Sequence, residues 1–502
     1  MSHFIQYNNS FNDMPYMREP VHHTDSIYSN CSSTSTLSSH LDATANHKTD
    51  TLKWFFKAVS AVDNSYKATT ENLNKLVSIS LVHAILPTPR YNGAGCAVIN
   101  QRIYCYGGTA NRLPTSDHYS LDLTKDFSVA NSIESWNTVV PVGDFTVEPN
   151  SLFSIVPLND SYLIHGGLGY GSSTQHLKNT TVIYHTSNNS WSALQTQNQT
   201  LMMPSREETC TLDPSNRMWT WGGISDNTTA ININKTTYHD EFQVLDLNAL
   251  AWSFPDNDTK TSSQHTSIPN PRLAHTATLS ASGQSIYYIG GLQVDDSGTG
   301  LSGAPMNKIL EYNITNGNWT IHTSPTNTTI PAPRRLHTAT LIPNSDLIFV
   351  YGGSVTDASD AVADYSYVLN TTSFIWTPVS IANTNLGAGS RFGHSAVLHN
   401  DRSLFIIFGA DDLGVLRNDF FVIDIAHWQW VSDFKSNSNY ANTVTATPSS
   451  SANPTASTSI VNTNTSGEKS SSTQINEFPF ISLNYTKTVY LMIGTMILFT
   501  SL

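Results

Sequence analysis

Six times along this chain a pair of strand-forming runs ends in glycine, and the clearest copies open on a proline–arginine corner. The plainest copy spans 333–353. Pro333-Arg334 is followed by His337, an apolar run, a turn at Asn344-Ser345, a second apolar run and Gly352-Gly353. Pro271-Arg272 and His275 lead likewise to Gly290-Gly291, and Arg391 and His394 lead to Gly409, where the second glycine reads as replaced by Ala410. Arg90 precedes Gly107-Gly108 and Arg206 precedes Gly222-Gly223, both without the histidine. The copy ending at Gly166-Gly167 has Asn150 at the arginine's place. First glycines at 107, 166, 222, 290, 352 and 409 lie 56 to 68 residues apart. A fixed period of this order marks stacked units, each unable to bury its apolar face alone.

The units also end alike. A tryptophan follows Asp246, Asn313, Asn370, Asp424 and His185 by six residues, at Trp252, Trp319, Trp376, Trp430 and Trp191. Only the first unit departs, because Thr-Lys-Asp-Phe-Ser-Val-Ala-Asn is inserted between Asp122 and Trp136. Diglycine, delayed tryptophan and leading Pro-Arg together resemble the kelch repeat, over about residues 87–433. The resemblance implies an all-β, six-bladed kelch-type β-propeller whose blades are four short antiparallel strands. In the fifth unit these are expected at 337–342, 347–351, 363–369 and 374–379, with Trp376 filling the space between blades. The glycine pair suits a backbone that takes positive φ or passes close to a neighbouring chain. Strand alternation puts the post-glycine loops (109–116, 168–178, 224–237, 292–306 and 354–363) and the Pro-Arg corners on one face, where variable loops on a rigid scaffold favour recognition.

Outside the repeats the composition changes. Residues 1–86 are a low-complexity, Ser-, Asn- and Thr-rich region expected to be disordered. Within it the apolar run 76–81, followed by Val82-His83-Ala84, reads as a displaced secretion signal, an inter-domain segment being the alternative. Residues 434–474 form a Ser/Thr-rich stalk, and 475–502 end in an uncharged apolar tail too short for a span of about 20 residues. With small residues at Ser470, Ser471 and Ser472, this tail resembles a glycosylphosphatidylinositol attachment signal, a short membrane tail being the alternative. Sequons at Asn159, Asn179, Asn188, Asn198, Asn227, Asn234, Asn257, Asn313, Asn318, Asn327 and Asn370 agree with passage through the secretory route. So does a disulfide between Cys96 and Cys105, which counting outward from an Asn100-Gln101 turn sets opposite one another. The expected location is the outer face of the plasma membrane or the cell wall.

Chemistry is harder to find. A net charge of −13 disfavours nucleic acid, and no Walker A loop, zincin or nucleophile-elbow motif occurs. His275, His337 and His394 recur once per unit, which reads as packing rather than metal binding. The repeated arginines read as ties to loop carbonyls or carboxylates. Acidic residues just after the glycines, Asp226, Asp295, Asp296, Asp357, Asp360, Asp411 and Asp412, are the candidate ligand-binding set, although solvated loop tips would look the same. The kelch resemblance extends to the radical-copper class similar to galactose oxidase. That class needs a Tyr–Cys crosslink, a second tyrosine and two histidines, a set this sequence does not display. The expectation is therefore a cofactor-free surface protein that binds a protein or glycan through its loop face, with a secreted carbohydrate oxidase or an intracellular kelch scaffold as rivals.

Overall fold

The computed structural model describes residues 86–443, apart from 91–94, 170–175, 199–202, 230–232, 234, 256–268, 296, 299 and 358–359. The sequence-based assignments to 1–85 and to 444–502, Ser470–Ser472 included, lie outside the described residues. Within them the chain is nearly all β, helix being confined to the 3-10 turns Val129–Ser135 and Thr384–Leu386.

Six four-stranded antiparallel sheets follow one another, each with its strands in chain order. Sheet 1 holds Gly95–Ile99, Arg102–Tyr106, His118–Asp122 and Asn137–Thr138. Sheet 2 holds Ser154–Pro157, Ser161–His165, Thr181–His185 and Ser190–Ala193. Sheet 3 comprises Thr209–Leu212, Arg217–Trp221, Gln243–Asp246 and Ala251–Ser253. Sheet 4 comprises Thr276–Leu279, Ser285–Ile289, Lys308–Asn313 and Asn318–Thr323. Sheet 5 is Thr338–Leu341, Leu347–Tyr351, Ser366–Asn370 and Ile375–Pro378. Sheet 6 is Ser395–His399, Ser403–Ile407, Phe420–Asp424 and Gln429–Trp430. The second strands are apolar runs rather than alternating ones because a neighbouring sheet covers each face. Every residue of Ser161–His165, Ser285–Ile289 and Ser403–Ile407 is buried.

The first strands lie side by side in cyclic order, and that of sheet 6 returns to that of sheet 1. Between consecutive sheets sits an apolar cluster containing one of the spaced tryptophans. Trp376 of sheet 5 packs on Ile289 and Ile309 of sheet 4, and its indole donates to the Met306 carbonyl at 2.9 Å. Trp191 packs with Tyr106 of sheet 1, Trp252 with Leu163 of sheet 2, Trp319 with Trp221 of sheet 3 and Trp430 with Tyr351 of sheet 5. Trp136, displaced in sequence, does the same work between sheets 1 and 6, beside Phe405, Ile407 and Phe420. Burying such a side chain removes about 150–250 Å², a gross gain of about 4–6 kcal/mol at each contact between sheets.

The insertion before Trp136 has a structural use. Its Phe127–Ser128 pairs antiparallel with Asp433–Phe434 from the far end of the repeats, and the phenyl rings of Phe127 and Phe434 stack 4.7 Å apart. Residues 434–443, which composition assigns to the stalk, pack on sheets 6 and 1 instead. Phe434 and Tyr440 are buried, the Tyr440 hydroxyl meets Ser403 Oγ at 2.8 Å, and Gln429 donates to the Ala441 carbonyl at 2.7 Å. Polar composition conceals these two aromatic anchors.

One repeat assignment is corrected. Gly409 occupies the place of a second glycine, and Phe408, at φ 60°, occupies that of the first, matching Gly352 at 66° and Gly290 at 63°. Ala410 is the residue after the pair. It bridges Phe392 as Ser354 bridges Arg335. Counting glycines alone hid this, since a phenylalanine rarely adopts a positive φ.

Candidate functional site

The second position of each diglycine ties its unit to the next. Its N–H donates to a corner carbonyl: Gly108 to Asn150, Gly167 to Ser205, Gly223 to Arg272, Gly291 to Arg334 and Gly353 to Arg391, all at 2.8–2.9 Å. Gly409 donates back to Arg90 at 2.8 Å, so the series closes on itself. These bonds and the post-glycine loops share one face. The loops are less free than their composition implies, because Thr109–Ala110 pairs with Leu113–Pro114, Ile224–Ser225 with Thr237–Tyr238, and Leu292–Val294 with Leu301–Gly303.

The corner side chains then reach the carbonyl of the first position in their own unit. Arg90 donates to Gly107 at 2.8 Å, Arg334 to Gly352 at 3.1 Å, Arg391 to Phe408 at 2.9 Å, and Asn150 does the same for Gly166 at 2.9 Å. Each of these three arginines also meets a carboxylate at the start of its third strand, Asp117, Asp364 and Asp419 respectively, at 2.7 Å. Arg206 pairs with Glu207 and, at 2.7 Å, with Asp226. Arg272 differs: among the described residues it meets no carboxylate, and it reaches Gly290 only at 3.5 Å; its buried Nε, like that of Arg391, has no partner.

The repeated histidines join units too. His275 meets Thr209 Oγ1 at 2.8 Å, His337 meets Thr276 at 3.2 Å and His394 meets Thr338 at 2.9 Å, each threonine lying on the preceding sheet. Burial, and then the nearby guanidinium, hold all three far below the ordinary histidine range, His337 and His394 at about 3. They are neutral packing groups at physiological pH. Sequence spacing did not reveal a second buried cluster. Glu208 bonds to Ser205 and lies 3.5 Å from His165 Nε2; burial pushes its carboxyl up to about 8.

Among the candidate ligand residues, Asp226 and Asp411 face inward. Burial raises the Asp226 pKa, but Arg206 and the Thr228 hydroxyl outweigh it and leave the group below the carboxylate range. Asp411 likewise stays low: burial is outweighed by Arg417, 2.8 Å away, and by the Val415 and Leu413 N–H groups. Asp295, Asp357, Asp360 and Asp412 are exposed, with Asp295 accepting from the Ser297 N–H at 3.1 Å. Asp296 lies outside the described residues. Among the described residues no three His, Cys, Asp or Glu side chains gather as a metal ion would require.

A cavity of about 270 Å³ opens on this face at sheet 4, lined by Pro269, Asn270, Arg272, Gln293, Pro305, Lys308, Leu310 and Ile321. Acid counting passed over it. The legible signal was Asn307-Lys308 standing where other units open their third strand on aspartate.

Cys96 and Cys105 are disulfide-bonded at directly opposed positions, with Cα atoms 4.2 Å apart, and Asn100 and Gln101 both take the positive φ of a tight hairpin turn. Cys210 is unpaired and beside Thr220. Of the sequon asparagines, Asn159, Asn188, Asn198, Asn227, Asn318 and Asn327 are exposed and Asn179, Asn313 and Asn370 are half-buried, while Asn234 and Asn257 lie outside the described residues.

Four-stranded sheets joined through diglycine corners and inter-sheet tryptophans define a β-propeller of repeat type. The model of the KLHDC2/KLHL20/DRC7 Kelch-repeats domain matches residues 56–291 and 274–447, and the chain belongs to this kelch-repeat family. A curated relative, host cell factor 2 of Homo sapiens, is 27% identical over 147 residues. The match covers 28% of this chain and only 16% of that protein.

Proposed function

We propose that the six sheets close into one six-bladed propeller whose loop face binds a protein partner, making the chain an interaction scaffold without catalytic chemistry of its own. The cyclic series of glycine-to-corner hydrogen bonds carries this reading. It fixes every corner and loop base on one rigid face, so association costs little ordering entropy. A kelch-repeat domain, whose members typically bind proteins, supports the same conclusion.

The partner can be found by chemical crosslinking of the folded chain in a native extract, with the crosslinked peptides identified by mass spectrometry. Crosslinks should concentrate in 109–116, 224–237, 292–306 and 354–363. Crosslinks confined to the opposite turns, such as 343–346 and 400–402, would sink the assignment.

The reading includes a place outside the cell, supported by the Cys96–Cys105 disulfide and by six exposed sequons. On that reading the C-terminal segment is the lipid anchor. Mass mapping of protein from native membranes, before and after phosphatidylinositol-specific phospholipase and deglycosylation, should show lipase release and sugar on those asparagines. Reduced cysteines and bare sequons would make an intracellular scaffold the better description. A glycan ligand has no separate support in the described geometry.

A further inference from the structure

The corners of sheets 1, 5 and 6 share one electrostatic solution. A buried arginine donates to a backbone carbonyl and meets a carboxylate, Asp117, Asp364 or Asp419, at 2.7 Å. Strand pairing fixes what stands at the same place in sheet 4. Leu369 opposes Trp376 as Tyr312 opposes Trp319, so counting back along the third strand sets Asn307 level with Asp364 and Lys308 level with Tyr365. In sheets 1 and 6 Asp117 and Asp419 each hold the position after which the third strand begins, opposite Gly107 and Phe408. Lys308 is opposite Gly290 by the same pairing. Where sheets 1 and 6 hold an acid, sheet 4 holds a second cation, and the level of Asp364 in sheet 5 is taken by the uncharged Asn307.

Arg272 is left in an unusual state. It is as buried as Arg90 and Arg334, at 1% exposed, and its Nε is unsatisfied like that of Arg391, but its one side-chain contact is a long one, to the Gly290 carbonyl, with no carboxylate among the described residues. Burial alone moves its pKa, down to about 10, so it stays charged at neutral pH. A buried guanidinium without a counter-charge is costly unless something else supplies one. Beside it lies the 270 Å³ cavity, which Lys308 also lines and to which, among the described residues, no carboxylate contributes.

We propose that Arg272 and Lys308 form a binding site for an acidic side chain of a protein partner, the incoming carboxylate taking the place that Asp117, Asp364 and Asp419 fill in the sister units. This rests on the protein-interaction reading above. The choice of a side chain over a free anion follows from the walls. Pro269, Pro305, Leu310 and the exposed Ile321 offer a small hydrated anion nothing, whereas a polypeptide carrying Glu or Asp covers them as the carboxylate enters. The planar guanidinium presents paired donors matched to a carboxylate.

The test is a titration of the full chain with acetyl-Leu-Glu-Leu-amide, acetyl-Leu-Gln-Leu-amide and inorganic phosphate, followed by ligand-observed NMR. The wild-type protein should bind the glutamate peptide at least tenfold more tightly than the glutamine peptide. Lys308→Asp changes an exposed side chain and supplies the missing intramolecular acid. It should abolish glutamate-peptide binding and raise Tm, whereas Lys308→Met should weaken binding without raising Tm. Three results would each overturn the proposal: equal binding of both peptides, no binding to wild type, or tighter binding of phosphate than of the glutamate peptide. A peptide that binds here while crosslinks map to the opposite face would leave this site standing and remove the interaction reading. Loop-face crosslinks without peptide binding would do the reverse.

Discussion

At the scale of single residues, buried ionisable groups set how the protein answers acid and mutation. His118, His337 and His394 sit near 3 and His165 near 4, all depressed first by burial. In the unfolded chain each titrates near 6.5. Because the folded pKa is the lower one, the unfolded state binds protons first on acidification. The stabilisation is whole above pH 6.5 and is lost as pH falls toward 3, by about 1.4 kcal/mol per pH unit for each histidine. Tm should therefore drop steeply between pH 6 and pH 4, and a flat profile there would contradict neutral packed histidines. Glu208, raised to about 8, has the opposite sign: its contribution is lost as pH rises from 4.5 toward 8. Glu208→Gln is expected to raise stability at pH 8 by about 1–3 kcal/mol and to make no difference at pH 4, as urea unfolding at the two pH values would show. Arg334→Met, which strands the Asp364 carboxylate and the Gly352 carbonyl, should cost about 2 kcal/mol by the same measurement.

At the scale of elements, stability resides between sheets rather than within them. An isolated four-stranded sheet leaves apolar residues bare on both faces, and the tryptophan at its outer strand reaches the sheet before it. Trp376→Ala should cost about 3–5 kcal/mol in chemical denaturation, with the Met306 carbonyl losing its donor as well. A loss below 1 kcal/mol would mean that the cluster of sheets 4 and 5 does not carry the contact. Gly352→Ala combines φ +66° with a Cβ that would collide with the Arg391 carbonyl oxygen; failure to fold at 37 °C is the expected outcome. The sequence announced these elements because the diglycine, the turn and the spaced tryptophan are all local. It misread the sixth corner because Phe408 has a glycine's conformation without a glycine's signature.

For the whole molecule, the two ends of the repeat array are fastened together. Asn418 donates to the Pro87 carbonyl at 2.8 Å, the N–H of Arg90 to the Arg417 carbonyl at 3.1 Å, and Phe434 seats on Phe127 in the inserted segment. Ending the chain after residue 433, where composition changes, removes Phe434 and Tyr440. It should lower Tm by several degrees relative to a chain ending at 443, as calorimetry of the two proteins would register. Equal melting temperatures would show that the fastening adds nothing.

The sequence by itself determined the repeat, the strand pairs, the Cys96–Cys105 opposition and the side on which loops emerge, because periodicity and hairpin register act over a few residues. Only the tertiary structure decided which partners close the corners. Asp226 and Asp411 read as ligand groups in the sequence and proved to be held by Arg206 and Arg417. Arg272 read as one more repeated arginine and proved to lack its acid. Ion pairing depends on which side chains the loop conformations bring together, whether six residues apart as for Asp411 and Arg417 or 20 apart as for Arg206 and Asp226, and that is set by the fold rather than by the spacing of the letters.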